Sequence, residues 1–175
     1  MDNDSTKALV DFLKQEAQNP PEEVIVVNVA PEIKMDAAMT MLMARLKVVG
    51  MEAKDLHYRA KGNAFFSLHE MADLIWDMDR LTDNIAELYF LGVRAQVPPL
   101  MHQVYGKAIQ LPCKEASDLP QFISRLRDSV VACIREVEQI KKTYPELISG
   151  VVALLDEISQ KSLLALGFLE RTLKN

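Results

Sequence analysis

The chain has 175 residues, of which 49% are hydrophobic and 26% charged, and its formal net charge is −5. That length allows one domain with a sizeable core, and the negative charge gives no reason to expect binding to a phosphate backbone. No apolar run approaches about 18 residues, so no segment is expected to span a membrane.

The first thirty residues form a segment that we treat as an N-terminal extension. Residues 4–17 have the pattern of a short helix with an apolar stripe at Leu9, Phe12 and Leu13, and Asn19-Pro20-Pro21 ends it. The β-branched run VIVVNV, residues 24–29, favours a short extended segment. The acidic start MDNDSTK differs from a basic targeting peptide.

Residues 31–175 carry four long helical patterns. The first runs from Pro31 to about Ala60, and the second from about Ala64 to Leu91, after the Lys61-Gly62-Asn63 turn. Ser117 or Asp118 caps the third, which has Pro120 in its first turn and reaches about Thr143; the fourth covers about Glu146–Leu173. Residues 98–108 predict a short helix within the long middle connection. The predicted fold is all-α: a ferritin-like four-helix bundle with a crossover, plus the extra N-terminal helix.

The apolar residues of these helices predict the core. In the second helix, one stripe contains Met71, Leu74, Met78, Leu81, Ile85, Leu88 and Tyr89. In the fourth, the core face contains Leu147, Val151, Leu154, Leu155, Ile158, Leu164 and Phe168. The methionines at 35, 39, 43 and 51 of the first helix indicate core or interface packing.

The opposite face of the second helix collects a histidine and several acids. With His69 at zero and about 100° per residue, Asp73 lies near +40°, Asp83 near −40° and Glu87 near zero. Trp76 lies on the same face, near −20°. An exposed tryptophan beside these groups favours contact with a second subunit over a purely solvated surface. Asp77 and Asp79 are expected to be surface charge.

These groups form two half-sites and not one. His69 and Asp73 can share a metal at i, i+4, and so can Asp83 and Glu87, but His69 and Glu87 are about 27 Å apart along the helix. Imidazole and carboxylate together suit iron, manganese or zinc. The two pairs meet only if the helices of two subunits run antiparallel across a two-fold axis. His57, at the end of the preceding helix, can supply a further ligand.

At these residues the sequence resembles the Dps family of miniferritins. The stretch LHYRAKGNAFFSLHEMAD, residues 56–73, and DNIAEL, residues 83–88, match the family motif at His57, Lys61-Gly62, Phe65, His69-Glu70, Asp73, Asp83 and Glu87. A weaker likeness extends over the last helix, so that the resemblance covers roughly Pro31 to Leu173.

The resemblance implies a dodecameric homo-oligomer that oxidises iron(II), preferentially with hydrogen peroxide, and stores ferric mineral. His57, His69 and Asp73 would come from one subunit, and Asp83 and Glu87 from its two-fold partner, binding one or two iron ions per site. Such a ferroxidase acts in iron homeostasis and oxidative stress. The first six residues carry two aspartates and no lysine, so we expect no DNA-binding tail.

Two departures from the family pattern bear on the function. The spacing between Asp73 and Asp83 is one residue shorter than is typical, and an ungapped reading puts Asn84 and Leu88 at the acid positions. Tyr58 replaces the usual tryptophan near the site. The alternatives are therefore a Dps-like structural oligomer with a degraded metal site, or a DNA-compacting protein. Cys113 and Cys133 match no zinc or redox spacing and predict reduced thiols in the cytoplasm.

Overall fold

The computed structural model describes residues 31–62, 65–112 and 115–174, and these residues form helices and no strand. The helices are α1 Pro31–Arg59, α2 Phe65–Trp76, α3 Leu81–Asn84, α4 Met101–Ala108, α5 Leu119–Thr143 and α6 Ser149–Lys174. A 3-10 turn, Asp77–Arg80, joins α2 to α3, and a π segment, Ile85–Val93, follows α3 directly. The predicted helix at 4–17 and the extended segment at 24–29 lie outside the described residues.

The four long elements are α1, the helical run at 65–93, α5 and α6, and they pack as a bundle. Two ion pairs fix the antiparallel contact of α1 with α5: Arg45 Nε lies 2.8 Å from Glu136 Oε2, and Arg125 Nε lies 3.1 Å from Glu52 Oε1. Lys141 and Asp156 pair α5 with α6 in the same antiparallel sense, with Arg127 and Glu170 further along. The predicted four-helix bundle is confirmed.

A long crossover connects the π segment to α5. It returns along the bundle, because Val93 lies at the end where α1 begins, whereas Phe122 in the first turn of α5 lies under Arg59 at the end of α1. The crossover carries α4, which packs on α1. The short helix predicted at 98–108 is therefore present, and none of the described helices is long and apolar enough to cross a bilayer.

The core lies between the four long elements and contains fully buried side chains from each of them. Its largest members are Met39, Leu42, Met43, Leu46, Leu56, Ile75, Met78, Leu81, Ile85, Leu126, Ile140 and Leu155. Three of the four predicted methionines, at 35, 39 and 43, are buried, whereas Met51 is 40% exposed. Burial of such side chains contributes about 1.5–3 kcal/mol each.

Local sequence signals located the start of α5 accurately. Asp118 is the N-cap, because its Oδ1 accepts a hydrogen bond of 2.9 Å from the backbone N–H of Gln121, and Pro120 lies in the first turn. The start of α6 was predicted too early, at Glu146 and not Ser149. Leu164 was wrongly predicted in the core and is 53% exposed. From residue 158 onward the buried positions of α6 are 158, 162, 165 and 169, a spacing that leaves Leu164 on the outer face.

A polar cluster joins the π segment to the start of α1. The Tyr89 hydroxyl donates a hydrogen bond of 2.7 Å to Asp36 Oδ1, and the guanidinium of Arg94 bonds both Asp36 and Glu32. Burial, reinforced by the Asp36 carboxylate, raises the pKa of Tyr89 far above its usual value. This cluster anchors the last turn of the helical run at 65–93 to the first turns of α1.

Candidate metal centre

Three of the five predicted ligands meet at one end of the bundle. His57 Nδ1 lies 2.6 Å from Asp73 Oδ1, and His69 Nδ1 lies 3.6 Å from Asp73 Oδ2. The imidazole rings of His57 and His69 are 3.6 Å apart between centroids, at an angle of 45°. One possible ligand atom from each of the three residues lies within 4.8 Å of the others.

The chain reversal between α1 and α2 brings these groups together. His57 belongs to the last turn of α1, and Gly62 then takes φ of 70°, a left-handed conformation that favours glycine. The antiparallel α2 follows, and its residues His69 and Asp73, one turn apart, lie against His57. We call His57, His69 and Asp73 the histidine half-site.

The chemistry of the histidine half-site suits a transition metal. His57 Nδ1 is buried and, within the described residues, makes no hydrogen bond despite its 2.6 Å approach to Asp73. Such buried polar atoms are uncommon and call for a partner. Two imidazoles and a carboxylate are a donor set for iron, manganese or zinc. Asp73 keeps 49% of its side chain exposed, so the half-site opens to the surface.

Aromatic side chains surround the histidine half-site. The ring of Trp76 lies 6.4 Å from that of His57, and the ring of Phe65 lies 5.0 Å from that of His69. Tyr58, in edge contact with His57, is 68% exposed. Lys54 Nζ lies 4.7 Å from the centre of the Trp76 ring. Trp76 itself is 37% exposed, as its position on the outer face predicted.

Asp83 and Glu87 are exposed and are not part of the histidine half-site. Asp83 lies ten positions after Asp73, a rise of about 15 Å or more along the run. Both acids therefore lie further down the same helical run, on α3 and on the π segment. We call them the acidic half-site. One chain does not bring the two half-sites together.

The 3-10 turn sets the angle between the two half-sites. Each 3-10 residue turns about 120° and rises about 2.0 Å, against about 100° and about 1.5 Å in an α-helix. Over the four residues of Asp77–Arg80 the excess is about 80° and about 2 Å, close to the contribution of one additional α-helical residue. On this count Asp83 lies at about the same angle as Asp73, about 40° from His69.

The same geometry corrects the predicted core stripe of this run. Leu74 and Leu88 were predicted in the core and are 47% and 49% exposed. Leu74 lies at the margin of the stripe. In the π segment hydrogen bonds span five residues instead of four, so each residue turns less, which moves Leu88 outward and keeps Tyr89 buried. The other predicted members of the stripe are buried: Met71, Met78, Leu81 and Ile85.

Sequence reasoning missed several residues that shape this region. Asp79 was expected to be surface charge, yet its Oδ2 lies 2.9 Å from Nζ of the buried Lys47. Gly50 lies against the same aspartate. In the sequence, the only sign of these contacts is that Lys47 and Gly50 lie on the inner side of α1. Asp77, in contrast, pairs with the exposed Arg80 at 3.1 Å, as surface charge does.

In the part of the chain that the structure describes, the interior of the bundle lacks the ligand pattern of the metal centres that ferritin-like proteins build within one subunit. Such centres in ferritin-like proteins use a glutamate from each of two helices and Glu-x-x-His on each of the other two. The residues three positions before His57, His69 and His102 are Lys54, Phe66 and Pro99, so the motif is absent from the chain. Glu52 and Glu136 instead pair with arginines. In the described residues the histidine half-site is the only such cluster.

The fold is that of a ferritin-like four-helix bundle. Dps from Thermosynechococcus elongatus superposes with a TM-score of 0.70 at 19% identity, covering 81% of this chain and 91% of its own. DpsC from Streptomyces coelicolor gives a TM-score of 0.67 at 19% identity, with 79% and 83% covered.

A third structure with this fold is described as ferritin-like, diiron-carboxylate proteins from Bacillus anthracis str. Ames. It gives a TM-score of 0.65 at 17% identity and covers 80% of this chain and 95% of its own. No family model and no curated protein matches the sequence. The predicted resemblance to Dps is thus confirmed for the fold, which is the fold of Dps and ferritin-like diiron structures.

Proposed function

We propose that this protein is a Dps-like ferroxidase that oxidises iron(II) at two-fold intersubunit sites and stores the ferric product inside a cage of identical subunits. The convergence of His57, His69 and Asp73 carries the proposal, because two imidazoles and a carboxylate that meet at a half-site open to the surface are suited to bind iron(II). The Dps fold supports it, since the matching structures include Dps proteins and diiron-carboxylate proteins.

The histidine half-site is open and needs a partner. A two-fold axis across the helical run at 65–93 would place Asp83 and Glu87 of a second subunit opposite His69 and Asp73, giving two identical sites per dimer. Exposed apolar side chains on this run support such contact, namely Phe66, Leu74, Trp76, Leu88 and Leu91. Large exposed apolar patches mark protein interfaces.

We propose iron(II) as the substrate and hydrogen peroxide as the oxidant, as the resemblance to the Dps family implies. Carboxylates and imidazoles bind iron(II), and the negative charge of the carboxylates favours the ferric state. Two iron(II) ions each give one electron; peroxide takes both electrons and two protons, its O–O bond breaks and two waters form. Trp76 and Tyr58 would lie beside the reacting iron, where an aromatic ring can be oxidised by stray radicals. We place this activity in the cytoplasm, in a dodecamer.

The first experiment compares the wild type with the double variant His69→Ala/Asp73→Ala. Iron(II) is titrated anaerobically, peroxide is added, and ferric absorbance is followed. We expect the variant to lose fast oxidation while keeping its assembly. Equal rates in the two proteins would refute the proposal and leave a Dps-like oligomer without a metal site.

A second experiment tests whether the site is shared between subunits. His69→Ala/Asp73→Ala subunits are mixed, by denaturation and refolding, with Asp83→Ala/Glu87→Ala subunits. A mixed dimer then has one site with all five wild-type groups and one that keeps only His57, so activity should return although each variant alone is inactive. Activity that stays absent in mixed dimers, identified by native mass spectrometry, would exclude the intersubunit site.

A further inference from the structure

We infer that Lys47, Gly50 and Asp79 are positioning residues, which hold the 3-10 turn and thereby set the angle between the histidine half-site and the acidic half-site. This inference rests on the proposed function. It concerns none of the groups that would touch iron. The turn sets the angle of Asp83 at about +40° from His69, on the side of Asp73, where a uniform α-helix would give about −40°.

The ion pair of Lys47 with Asp79 links the turn to α1. The Lys47 side chain is 8% exposed, and its Nζ lies 2.9 Å from Asp79 Oδ2 and 5.6 Å from the centre of the Tyr105 ring. A lysine this buried depends on its partner charge, because removal of one member of a buried pair leaves the other uncompensated. Asp79 is therefore held toward α1 and not toward solvent.

Gly50 lets the turn come close enough for this pair to form. A Cβ at position 50 would lie 3.0 Å from Asp79 Cβ and 3.2 Å from its Oδ1, closer than most Cβ contacts in proteins. Gly50 lies one turn beyond Lys47 on α1. The absent side chain and the lysine thus act on the same residue: the glycine leaves room for Asp79, and the lysine binds its carboxylate.

Hydrogen bonds within the run complete the turn. The Thr82 hydroxyl, fully buried, donates a bond of 2.7 Å to the backbone carbonyl of Asp79. The N–H of Leu81 bonds the Met78 carbonyl three residues before it, the pattern of a 3-10 helix. Asp79 is thus fixed through both its side chain and its backbone.

Loss of the turn would change the angle between the half-sites. If residues 77–80 relaxed to an α-helix, Asp83 and Glu87 would rotate by about 80° relative to Asp73. For a side chain about 5 Å from the helix axis, that rotation moves the carboxylate by about 6 Å. Metal–ligand bonds are about 2 Å long, so a displaced carboxylate no longer reaches the metal held by the opposite subunit.

The test uses Lys47→Met, which keeps a long apolar stem, and Lys47→Arg, which keeps the charge. Lys141→Met is the matched control, since it removes another interhelical lysine–aspartate pair, that with Asp156. Asp79→Asn, of nearly the same volume, serves if Lys47→Met fails to fold. Each variant is crystallised, and each is titrated with cobalt(II), whose visible spectrum reports coordination number.

We expect Lys47→Met to lose the 3-10 turn, to bind cobalt(II) at least about tenfold more weakly, as when an orienting group is lost, and to show an altered spectrum. Lys47→Arg and Lys141→Met should resemble the wild type. A turn that persists in Lys47→Met, or a lost turn with unchanged cobalt binding, overturns the inference. If the wild type binds cobalt(II) no more tightly than His69→Ala/Asp73→Ala does, the proposed function itself fails, and the positioning role fails with it.

Discussion

Replacement of Gly50 by alanine has two opposing effects on stability, a gain in helix propensity and a loss from overpacking. Alanine in a helix interior is favoured over glycine by about 1 kcal/mol. Against this, the new Cβ would lie 3.0 Å from Asp79 Cβ and 3.3 Å from its Cγ. Asp79 has little freedom to withdraw, since Lys47 and Thr82 hold it. Overpacking of this kind costs about 1–3 kcal/mol, so we expect Gly50→Ala to destabilise the protein by up to about 2 kcal/mol.

Gly167→Ala is the matched control for this substitution. Gly167 lies within α6, and a Cβ there would have nothing within 4 Å. We therefore expect Gly167→Ala to stabilise by about 0.5–1 kcal/mol. Urea unfolding at one fixed protein concentration measures both variants, because oligomer stability depends on concentration. If Gly50→Ala raises the free energy of unfolding as much as Gly167→Ala does, then Asp79 does not approach α1 as closely as described.

Three further predictions concern the anchored tyrosine, the buried thiol and DNA. Tyr89→Phe removes the hydrogen bond to Asp36 and should cost about 1.5–3 kcal/mol, whereas the half-exposed Tyr105→Phe should change stability little; equal urea midpoints would contradict this. The raised Tyr89 pKa means that the stability from its neutral phenol is present below about pH 10 and falls above it. Burial raises the pKa of Cys133 to about 12, so in a Cys113→Ser variant a disulfide reagent at pH 8 should label it only after unfolding; rapid labelling of native protein would refute its burial. Gel shifts at moderate salt should show no tight duplex DNA complex, and a tight one would restore the DNA-compacting alternative.

The sequence predicts the elements whose signals are local. Asp118 and Pro120 mark the start of α5 because an N-cap and a first-turn proline act within four residues of each other. The interruption of the second helix was not predictable in this way. It depends on Lys47 and Gly50, about thirty residues away on another helix, and nothing in the stretch around Asp79 by itself indicates a 3-10 turn.

The candidate site likewise has one part that local sequence predicts and one part that it does not. His57, His69 and Asp73 are ordered in the motif, and a tight turn between two antiparallel helices is enough to bring them together. The angle of Asp83 and Glu87 relative to them follows from the helix type between, so a wheel of uniform α-helix gave about −40° for Asp83 where the mixed helix gives about +40°. Whether the acids complete a metal site depends on a second subunit and stays a prediction.

The two ion pairs between α1 and α5 bear on the direction in which these helices can run. Along both helices the arginine comes before the glutamate: Arg45 and Glu52 on α1, Arg125 and Glu136 on α5. Antiparallel packing places each arginine beside a glutamate, whereas parallel packing would place arginine by arginine and glutamate by glutamate. Since such partly buried pairs add little net stability, their main effect is to make the reversed topology unfavourable, so that the crossover must return along the whole bundle.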